Sequence, residues 1–348
     1  MMKKVFNILK YIVIVAVAFS LLTMLFMPKY IEKNADGRIT PEFYREKTPL
    51  DVVFVGSSTV HAGISPMTLY KEGGLRAYDR SNSSQVIALS YYMAKEAIRC
   101  NKPKLIVCEV GFIYQEDDYV DEGSSRKSLD GMKWSKEKVD AIKAMIGEEE
   151  HFIDYVFPIL RFHSRWNDLC AEDIKYLLYK PTVTYNGQLL QFKTISDDKI
   201  YDPYGLEEGT IATERSMYYL QKLVDLCNEN DVELALIKLP MINGNWCNSI
   251  DDQIQSFADK NGVLYKNFID DFDSIGFNMH EDFTDGQHMN SIGAEKFTKV
   301  LYGFLNDNYS VLDKSSEETK PDIFVKKLNN YNYAIENKIP SERGGDDL

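Results

Sequence analysis

The chain has 348 residues, of which 44% are hydrophobic and 27% charged, a composition that supports one large globular domain or two small ones. Its formal net charge is −13 and its pI is near 5.0, which argues against nucleic-acid binding through the overall field of the protein. Five cysteines cannot all pair within one chain, and they form no CxxC motif. We therefore expect neither a disulfide framework nor a cysteine metal site.

The N-terminus departs from this acidic average. Three lysines within the first ten residues precede an uncharged apolar run of 17 residues, Tyr11 to Met27, which Pro28 closes. The run predicts a single transmembrane anchor over residues 11–28, since a bilayer span needs roughly 17 to 25 apolar residues. The lysines predict that residues 1–10 are cytoplasmic and that the rest of the chain lies outside. A cleaved signal peptide is the alternative, although no small-x-small cleavage site follows the run.

Residues 29–49 are polar and contain two prolines, which predicts a stalk. From residue 50 to 312, short apolar runs alternate with segments of helical periodicity. The predicted strands are DVVFVG, RAYDR, PKLIVCEVG, VELALIKLP and VLYKNFID. Continuous apolar runs of this kind are typical of parallel strands that are buried on both faces. We therefore predict an α/β fold in which helices cover both faces of a mainly parallel sheet.

The alternation lapses between about residues 112 and 210. Most of this stretch has helical spacing, and Asn186-Gly187 is typical of a hairpin turn. We interpret it as a largely helical insertion that forms either a lid or a partner surface. Residues 313–348 are polar and rich in charge, which predicts a mobile tail.

A serine motif, GSSTVHAG, follows the first predicted strand at residues 56–63. Ligands of open α/β sheets bind at the carboxyl ends of the strands. A serine in a sharp strand-to-helix turn exposes its hydroxyl and offers its backbone N–H to an oxyanion. Gly56 permits the tight turn, so Ser57 or Ser58 is a candidate nucleophile. The alternative is that Gly-Ser-Ser is ordinary turn composition.

A second motif, DGQH, lies just before the last helix of the predicted α/β domain. A nucleophilic serine needs a base, and the base needs an acceptor that fixes its tautomer. Asp285 and His288, three residues apart on a turn, supply both groups. Asn290 or Ser291 is expected to cap the helix that follows. The alternative for DGQH alone is a capped surface loop.

An early Gly-x-Ser after a strand and a late Asp-x-x-His before the final helix resemble the SGNH (GDSL-type) hydrolase superfamily. With its N-terminal anchor, GSS and DFTDGQHMN, the chain looks like the membrane-anchored branch. That branch includes the D-alanine transfer protein of teichoic-acid modification and O-acetyltransferases of surface polysaccharides. The resemblance covers roughly residues 50–110 and 230–305. It implies an SGNH-like three-layer sandwich with Ser58 as nucleophile, His288 as base and Asp285 as its orienter.

The oxyanion donors depart from the family pattern. The hydrolases often place a glycine after the second strand and an asparagine after the third, whereas this chain has YDRSNSSQ and CEVGFIYQ there. The candidate donors are therefore the backbone N–H of Ser58 and groups of Asn82 and Ser83. Loss of one such donor typically costs about 10² to 10³ in rate.

Other polar residues offer further hypotheses. Arg161, His163 and Arg165 either face the cleft, where they would bind an anionic or glycan substrate, or form a structural helix face. His61 either lines the site or packs in the body. No two-histidine spacing accompanies the many aspartates near the C-terminus, so we predict no metal site and no cofactor.

Together these features predict O-acyl transfer to an extracytoplasmic cell-wall or surface polysaccharide, such as a teichoic-acid-like acceptor, through an acyl-serine. The resemblance implies a multi-spanning membrane acyltransferase as partner, since the anchored domain has no cytosolic acyl supply. One alternative is a membrane-anchored carbohydrate or small-ester esterase. Another is a non-catalytic glycan-binding or scaffold protein.

Overall fold

The computed structural model describes residues 2–29, 32–115, 122–195, 201–312 and 322–341. Short 3₁₀ turns occur at Glu32–Arg38, His163–Asn167, Ile269–Asp271 and Ser310–Leu312. The α-helices are α1 Met2–Phe26, α2 Ile39–Phe43, α3 Ser58–Gly63, α4 Pro66–Gly73, α5 Ile87–Asn101, α6 Glu122–Leu129, α7 Lys136–Met145, α8 Phe152–Val156, α9 Ile159–Phe162, α10 Ala171–Leu178, α11 Glu214–Glu229, α12 Asn248–Asn261, α13 Phe272–Ile275, α14 Met279–Asp282, α15 Ser291–Asn308 and α16 Asp322–Glu336.

A five-stranded parallel sheet forms the centre of the protein, with the order β2-β1-β3-β4-β5. The strands are β1 Val52–Gly56, β2 Ala77–Ser81, β3 Leu105–Glu109, β4 Glu233–Lys238 and β5 Leu264–Asn267. Four of them lie within the segments from which strands were predicted, and β2 extends one residue beyond RAYDR, to Ser81. The chain turns back past β1 to reach β3, so the strand order reverses between these two strands. Ligands bind at such switch points in open α/β sheets.

Both faces of the sheet are buried. Val53 and Val55 of β1 face a core that includes residues of α5 and α11, while Val52 and Phe54 face a core formed with α4 and α15. This alternation is the expected consequence of the two-residue period of a strand. The predicted α/β fold with helices on both faces is confirmed.

The insertion is largely helical, as predicted, and contains α6 to α10 within the described residues. At Asn186-Gly187 the chain makes a tight turn closed by a bridge between Tyr185 and Gln188, without extended strands on either side. Asn186 and Gly187 have φ values of 54° and 95°. A Cβ on Gly187 would lie 2.2 Å from the carbonyl oxygen of Asp79, so the turn packs directly on β2.

Much of the predicted stalk belongs to the body, which corrects the boundary at residue 49. Ile39 and Phe43, four residues apart on α2, are buried. The hydroxyl of Tyr78 donates to the carbonyl of Ile39 at 3.0 Å, and the Arg80 guanidinium lies 4.4 Å from the centre of the Phe43 ring. These two apolar residues lie on one face of the helix and cover β2. The stalk prediction missed them because it rested on the polar composition of the whole segment.

The predicted mobile tail is corrected over residues 322–341. Phe324 and Tyr331, seven residues apart on one face of α16, are fully buried. The Ser65 hydroxyl donates to the Tyr331 hydroxyl at 2.9 Å, which fixes α16 beside α4. An apolar stripe of this kind holds a helix on the body even where the surrounding sequence is polar. Residues 313–321 and 342–348 of the predicted tail lie outside the described residues.

The N-terminal helix α1 is apolar and exposed. The helical segment Lys3–Phe26 is long and hydrophobic enough to cross a membrane. Its mean hydropathy is 2.4, and none of its most apolar stretch is buried against the rest of the protein. The helix leaves the body near the insertion, where it contacts α9 and α10.

Candidate active site

The turn after β1 presents the serine motif. Gly56 has a φ of 155°, and a Cβ at this position would lie 2.7 Å from Cγ2 of Val60 and 2.8 Å from Cβ of Glu109. Only glycine therefore lets the end of β1 turn this closely against β3 and into α3. As a result, Ser57 and Ser58 lie at the carboxyl edge of the sheet, at the switch point.

The two serines have different surroundings. Ser57 is 1% exposed, and its hydroxyl lies 3.0 Å from Oγ1 of Thr59. The hydroxyl of Ser58 is partly exposed and lies 2.7 Å from Nε2 of His288. Of the two predicted nucleophile candidates, Ser58 is the one whose hydroxyl reaches a base.

His288 is oriented by Asp285. The imidazole Nδ1 lies 2.9 Å from Oδ2 and 3.0 Å from Oδ1 of the carboxylate. Oδ1 also accepts the backbone N–H groups of Gln287 at 2.8 Å and of His288 at 2.9 Å. With a proton on Nδ1 that is donated to Asp285, Nε2 is free to accept the proton of Ser58 Oγ. The structure thus brings Ser58, His288 and Asp285 into one hydrogen-bonded triad.

The turn that carries the base is anchored by Asn290, which is 1% exposed. Its side-chain oxygen accepts the N–H groups of Ile292 and Gly293 and caps α15. Its side-chain nitrogen donates to the carbonyls of Glu281 at 2.6 Å and Lys193 at 3.2 Å. Of the two predicted capping residues, Asn290 holds the turn rigid from both sides.

The Asp285 carboxyl group has a lowered pKa. Burial alone would raise the pKa of this carboxyl group. The hydrogen bond and charge of His288, together with the two backbone N–H groups, outweigh that cost and hold the Asp285 pKa below its ordinary value. The carboxylate is 57% exposed and is therefore in contact with solvent. Asp285 is therefore ionised at neutral pH and presents its negative charge to Nδ1 of His288.

The triad opens into a cavity of about 240 Å³. Its lining comes from distant parts of the chain: Ala35, Asp36, Ser58, His61, Ser83, Lys127, Leu189, Leu190, Gln191, Asp285, His288 and Ser341. His61 lines this cavity and is also 3% exposed, with Nδ1 lying 3.2 Å from the Ser81 hydroxyl. Burial lowers the pKa of His61 to about 4, so this imidazole is neutral at pH 7.

The predicted oxyanion donors differ in position. Ser83 lines the cavity, but its N–H and hydroxyl both donate to Oδ2 of Asp36, at 3.3 and 2.5 Å. Asn82 is fully buried, and its side-chain nitrogen lies 3.5 Å from Oγ1 of Thr40. The backbone N–H of Ser58, at the start of α3, remains the candidate donor nearest to the nucleophile.

The predicted anionic-substrate cluster lies elsewhere. Arg161 forms an ion pair with Glu122 at 2.8 Å. Arg165 donates to the carbonyl of Phe26 at the end of α1 and pairs with Asp173. None of Arg161, His163 and Arg165 lines the triad cavity. The structure therefore does not bring this cluster to the triad cavity, because the insertion turns it toward α1.

Seven of the twelve lining residues had no sequence signal, among them one from each of three distant segments. Asp36 comes from the predicted stalk, Lys127 from the insertion and Ser341 from the predicted tail. Lys127 Nζ lies 2.9 Å from Oδ2 of Asp36, which places an ion pair in the wall. Only the fold brings these residues together. Among the described residues, no group of three histidine, cysteine or acidic side chains is placed to hold a metal ion.

No protein-family model and no curated protein matches the sequence. Among solved structures, the chain is similar to a GDSL-like lipase from Bacteroides thetaiotaomicron, with 12% identity, a TM-score of 0.38, and coverage of 78% of this chain and 97% of that chain. It is also similar to a catalytic mutant of an acetylxylan esterase from Geobacillus stearothermophilus, with 11% identity, a TM-score of 0.38, and coverage of 78% and 100%. Similarities at this level do not assign a reaction, so the chemistry rests on the geometry of the triad.

Proposed function

We propose that this chain is a serine-dependent O-acyl transferase that modifies an extracytoplasmic cell-wall or surface polysaccharide through an acyl-serine intermediate. The observation that supports this proposal is the chain of hydrogen bonds from Ser58 Oγ to His288 Nε2 and from His288 Nδ1 to Asp285. A serine, a base and an orienting carboxylate in this order activate a hydroxyl for attack on an ester or thioester carbonyl.

In the first half-reaction, Ser58 Oγ bonds to the acyl carbon while His288 Nε2 takes the hydroxyl proton. The negative charge that develops on the carbonyl oxygen is stabilised by the Ser58 backbone N–H. When the tetrahedral intermediate collapses, the bond to the leaving group breaks and His288 returns its proton to that group. The products are acyl-Ser58 and the free leaving alcohol or thiol.

In the second half-reaction, a sugar or polyol hydroxyl takes the place of the leaving group. His288 removes its proton as the oxygen attacks the acyl carbon, and the proton then returns to Ser58 Oγ as the ester bond to serine breaks. The acyl group ends on the acceptor oxygen. If water is the acceptor, the same steps give hydrolysis, so the outcome depends on which hydroxyl reaches the cavity.

The N-terminal helix supports transfer over hydrolysis. A helix that is apolar enough to span a membrane would hold the catalytic domain at the membrane surface, outside the cytosolic pool of acyl donors. A multi-spanning membrane acyltransferase is therefore the partner we propose as the source of the acyl group. A teichoic-acid-like or other surface polysaccharide is the proposed acceptor.

The esterase alternative is favoured by one observation. Asp285 is 57% exposed, so solvent reaches the outer side of the triad. Ready access of water would favour deacylation by hydrolysis. Rapid turnover of small acetyl esters without any acceptor would support this alternative.

The non-catalytic alternative is favoured by the engagement of Ser83. Both of its donors bind the Asp36 carboxylate, and the family's glycine and asparagine donors are missing. A site that cannot stabilise an oxyanion would bind a glycan without acylating serine. In that case, a serine-reactive probe would not label the protein.

Intact-mass labelling of the full chain in detergent micelles with a fluorophosphonate tests the proposal. We expect the wild type to gain one probe mass, and we expect Ser58→Ala and His288→Ala to gain none. Ser57→Ala is the matched control, because this neighbouring hydroxyl is buried against Thr59 and should not affect labelling. Absence of labelling in a folded wild-type protein would overturn the proposal.

A further inference from the structure

The insertion carries an exposed apolar face that no part of the catalytic mechanism uses. Six large apolar side chains between residues 153 and 179 are 40 to 67% exposed. We call these six residues the apolar face: Ile153, Phe157, Leu160, Trp166, Ile174 and Tyr179. A concentration of this kind in one segment marks an interaction surface rather than ordinary surface composition.

The apolar face lies beside the proposed membrane helix. The rings of Phe157 and Phe19 are 5.5 Å apart and meet edge to face. Arg165 Nη1 donates to the carbonyl of Phe26 at 2.6 Å, and Lys29 Nζ lies 3.7 Å from Asp173. The insertion therefore contacts α1 at its end and also further along its apolar surface.

These contacts set the depth of the insertion. Phe19 lies seven residues before Phe26, which corresponds to roughly 10 Å along the helix axis. The hydrocarbon core of a bilayer is about 30 Å thick. With α1 spanning the bilayer, Phe157 is level with residues inside the hydrocarbon, while Arg165 is level with the end of the helix.

The composition of the segment fits such a position. Trp166 and Tyr179 are exposed aromatic residues of the type enriched at the boundary between hydrocarbon and headgroups. The segment carries charges of both signs: the exposed cations are Lys175 and Arg161, which pairs with Glu122, and Asp168 is an exposed acid. A further exposed cation, Lys180, follows directly after the segment. Aromatic residues together with cations are typical of segments that lie in the membrane interface.

We propose that residues 153–179 dip into the outer leaflet of the bilayer beside α1, with the apolar face among the lipid acyl chains. The surface is thus a second membrane contact, made by the insertion in addition to the anchor. It fixes the height and tilt of the catalytic domain above the membrane, since two separate contacts with the bilayer remove the freedom that a single helix leaves.

Quenching by brominated lipids tests this placement. The full chain is reconstituted into phosphatidylcholine liposomes whose acyl chains carry bromine at defined depths, and tryptophan fluorescence is recorded. We expect Trp166 to be quenched by shallow bromines, so Trp166→Phe should abolish that quenching. Trp134→Phe is the matched control, because Trp134 is 52% exposed but lies outside the segment, and this variant should keep the quenching.

A second variant tests the depth order. Phe157→Trp, made together with Trp166→Phe, should be quenched most strongly by bromines placed deeper in the acyl chain. Circular dichroism of each variant checks folding. If Trp166→Phe and wild type are quenched alike, lipid does not reach the apolar face and the proposal fails. Equal quenching of positions 157 and 166 at every depth would also overturn it, and a membrane protein would then be the better candidate for the occupant.

Discussion

The two regions treat solvent in opposite ways: the triad edge of the sheet buries polar side chains, whereas the apolar face of the insertion exposes hydrophobic ones. At the triad edge, His61 and Asn290 are buried and hydrogen-bonded to protein groups. On the insertion, Phe157 and Trp166 are exposed to solvent. A buried polar group is stable only when its hydrogen bonds are satisfied, whereas an apolar face is stable only when something covers it. In the first region protein groups bind these side chains, whereas the second region is the one that we propose to be covered by lipid.

The largest effect should come from the carboxylate that orients the base. Asp285→Asn replaces an acceptor of three N–H groups with an amide and favours the wrong tautomer of His288. Loss of such an orienting carboxylate lowers kcat by about 10⁴-fold. Turnover of a nitrophenyl acetate by the full chain in micelles measures this change. Asp273→Asn alters an exposed acid without a place in the triad and should leave turnover unchanged. Similar turnover in both variants would show that the turn alone orients His288.

A smaller effect concerns the pH dependence of stability. Burial lowers the pKa of His61 to about 4 from 6.5, against the opposing pull of the Asp36 carboxylate. As the pH falls below 6.5, the unfolded chain takes up a proton that the folded chain refuses until about pH 4. The free energy of unfolding therefore decreases over this window, by up to about 3 kcal/mol.

Chemical unfolding in micelles at pH 7, 5.5 and 4.5 measures the slope. His61→Asn has no group that titrates in this window, so its stability should depend less on pH than that of the wild type. Identical slopes for the two proteins would mean that His61 is not buried in its neutral form, and the contrast between the two regions would weaken.

The smallest effect should come from the apolar face. Leu160→Ala changes a side chain that is 50% exposed, so the free energy of unfolding in micelles should change by less than about 0.5 kcal/mol. Ile142→Ala, in the same insertion, removes a fully buried side chain and should cost about 2 to 5 kcal/mol. Equal losses would show that Leu160 packs against protein, and the apolar face would need no external phase.

The sequence was most informative where the signal is local. β1 and β3 are continuous apolar runs, and burial on both faces is what produces such runs. The triad was also predictable, because Ser58 and His288 each lie in a short motif attached to a strand end or a helix start. The strand-to-turn pattern alone did not separate Ser57 from Ser58. The resemblance to Gly-x-Ser favoured Ser58, and the turn geometry shows that its hydroxyl faces His288.

The pocket walls were not predictable, because they depend on contacts between distant segments. Asp36 and Lys127 meet only because the turn at Glu32–Arg38 packs against α6, which lies far along the chain. Similarly, Arg161 and Arg165 are residue types that often bind anions. Nothing in their local pattern indicates that the insertion turns them toward α1 and Glu122.

The contact between Leu190 and Ser341 bears on when the cavity wall forms during synthesis of the chain. Ser341 donates its N–H to the Leu190 carbonyl at 3.1 Å, and its hydroxyl accepts the Leu190 N–H at 2.9 Å. Ser341 lies far C-terminal to Ser58, so it leaves the ribosome much later. A nascent chain therefore holds Ser58 before this part of the cavity wall exists. The wall is completed only when the segment around Ser341 docks on Leu190, so the shape of the cavity is set late in folding.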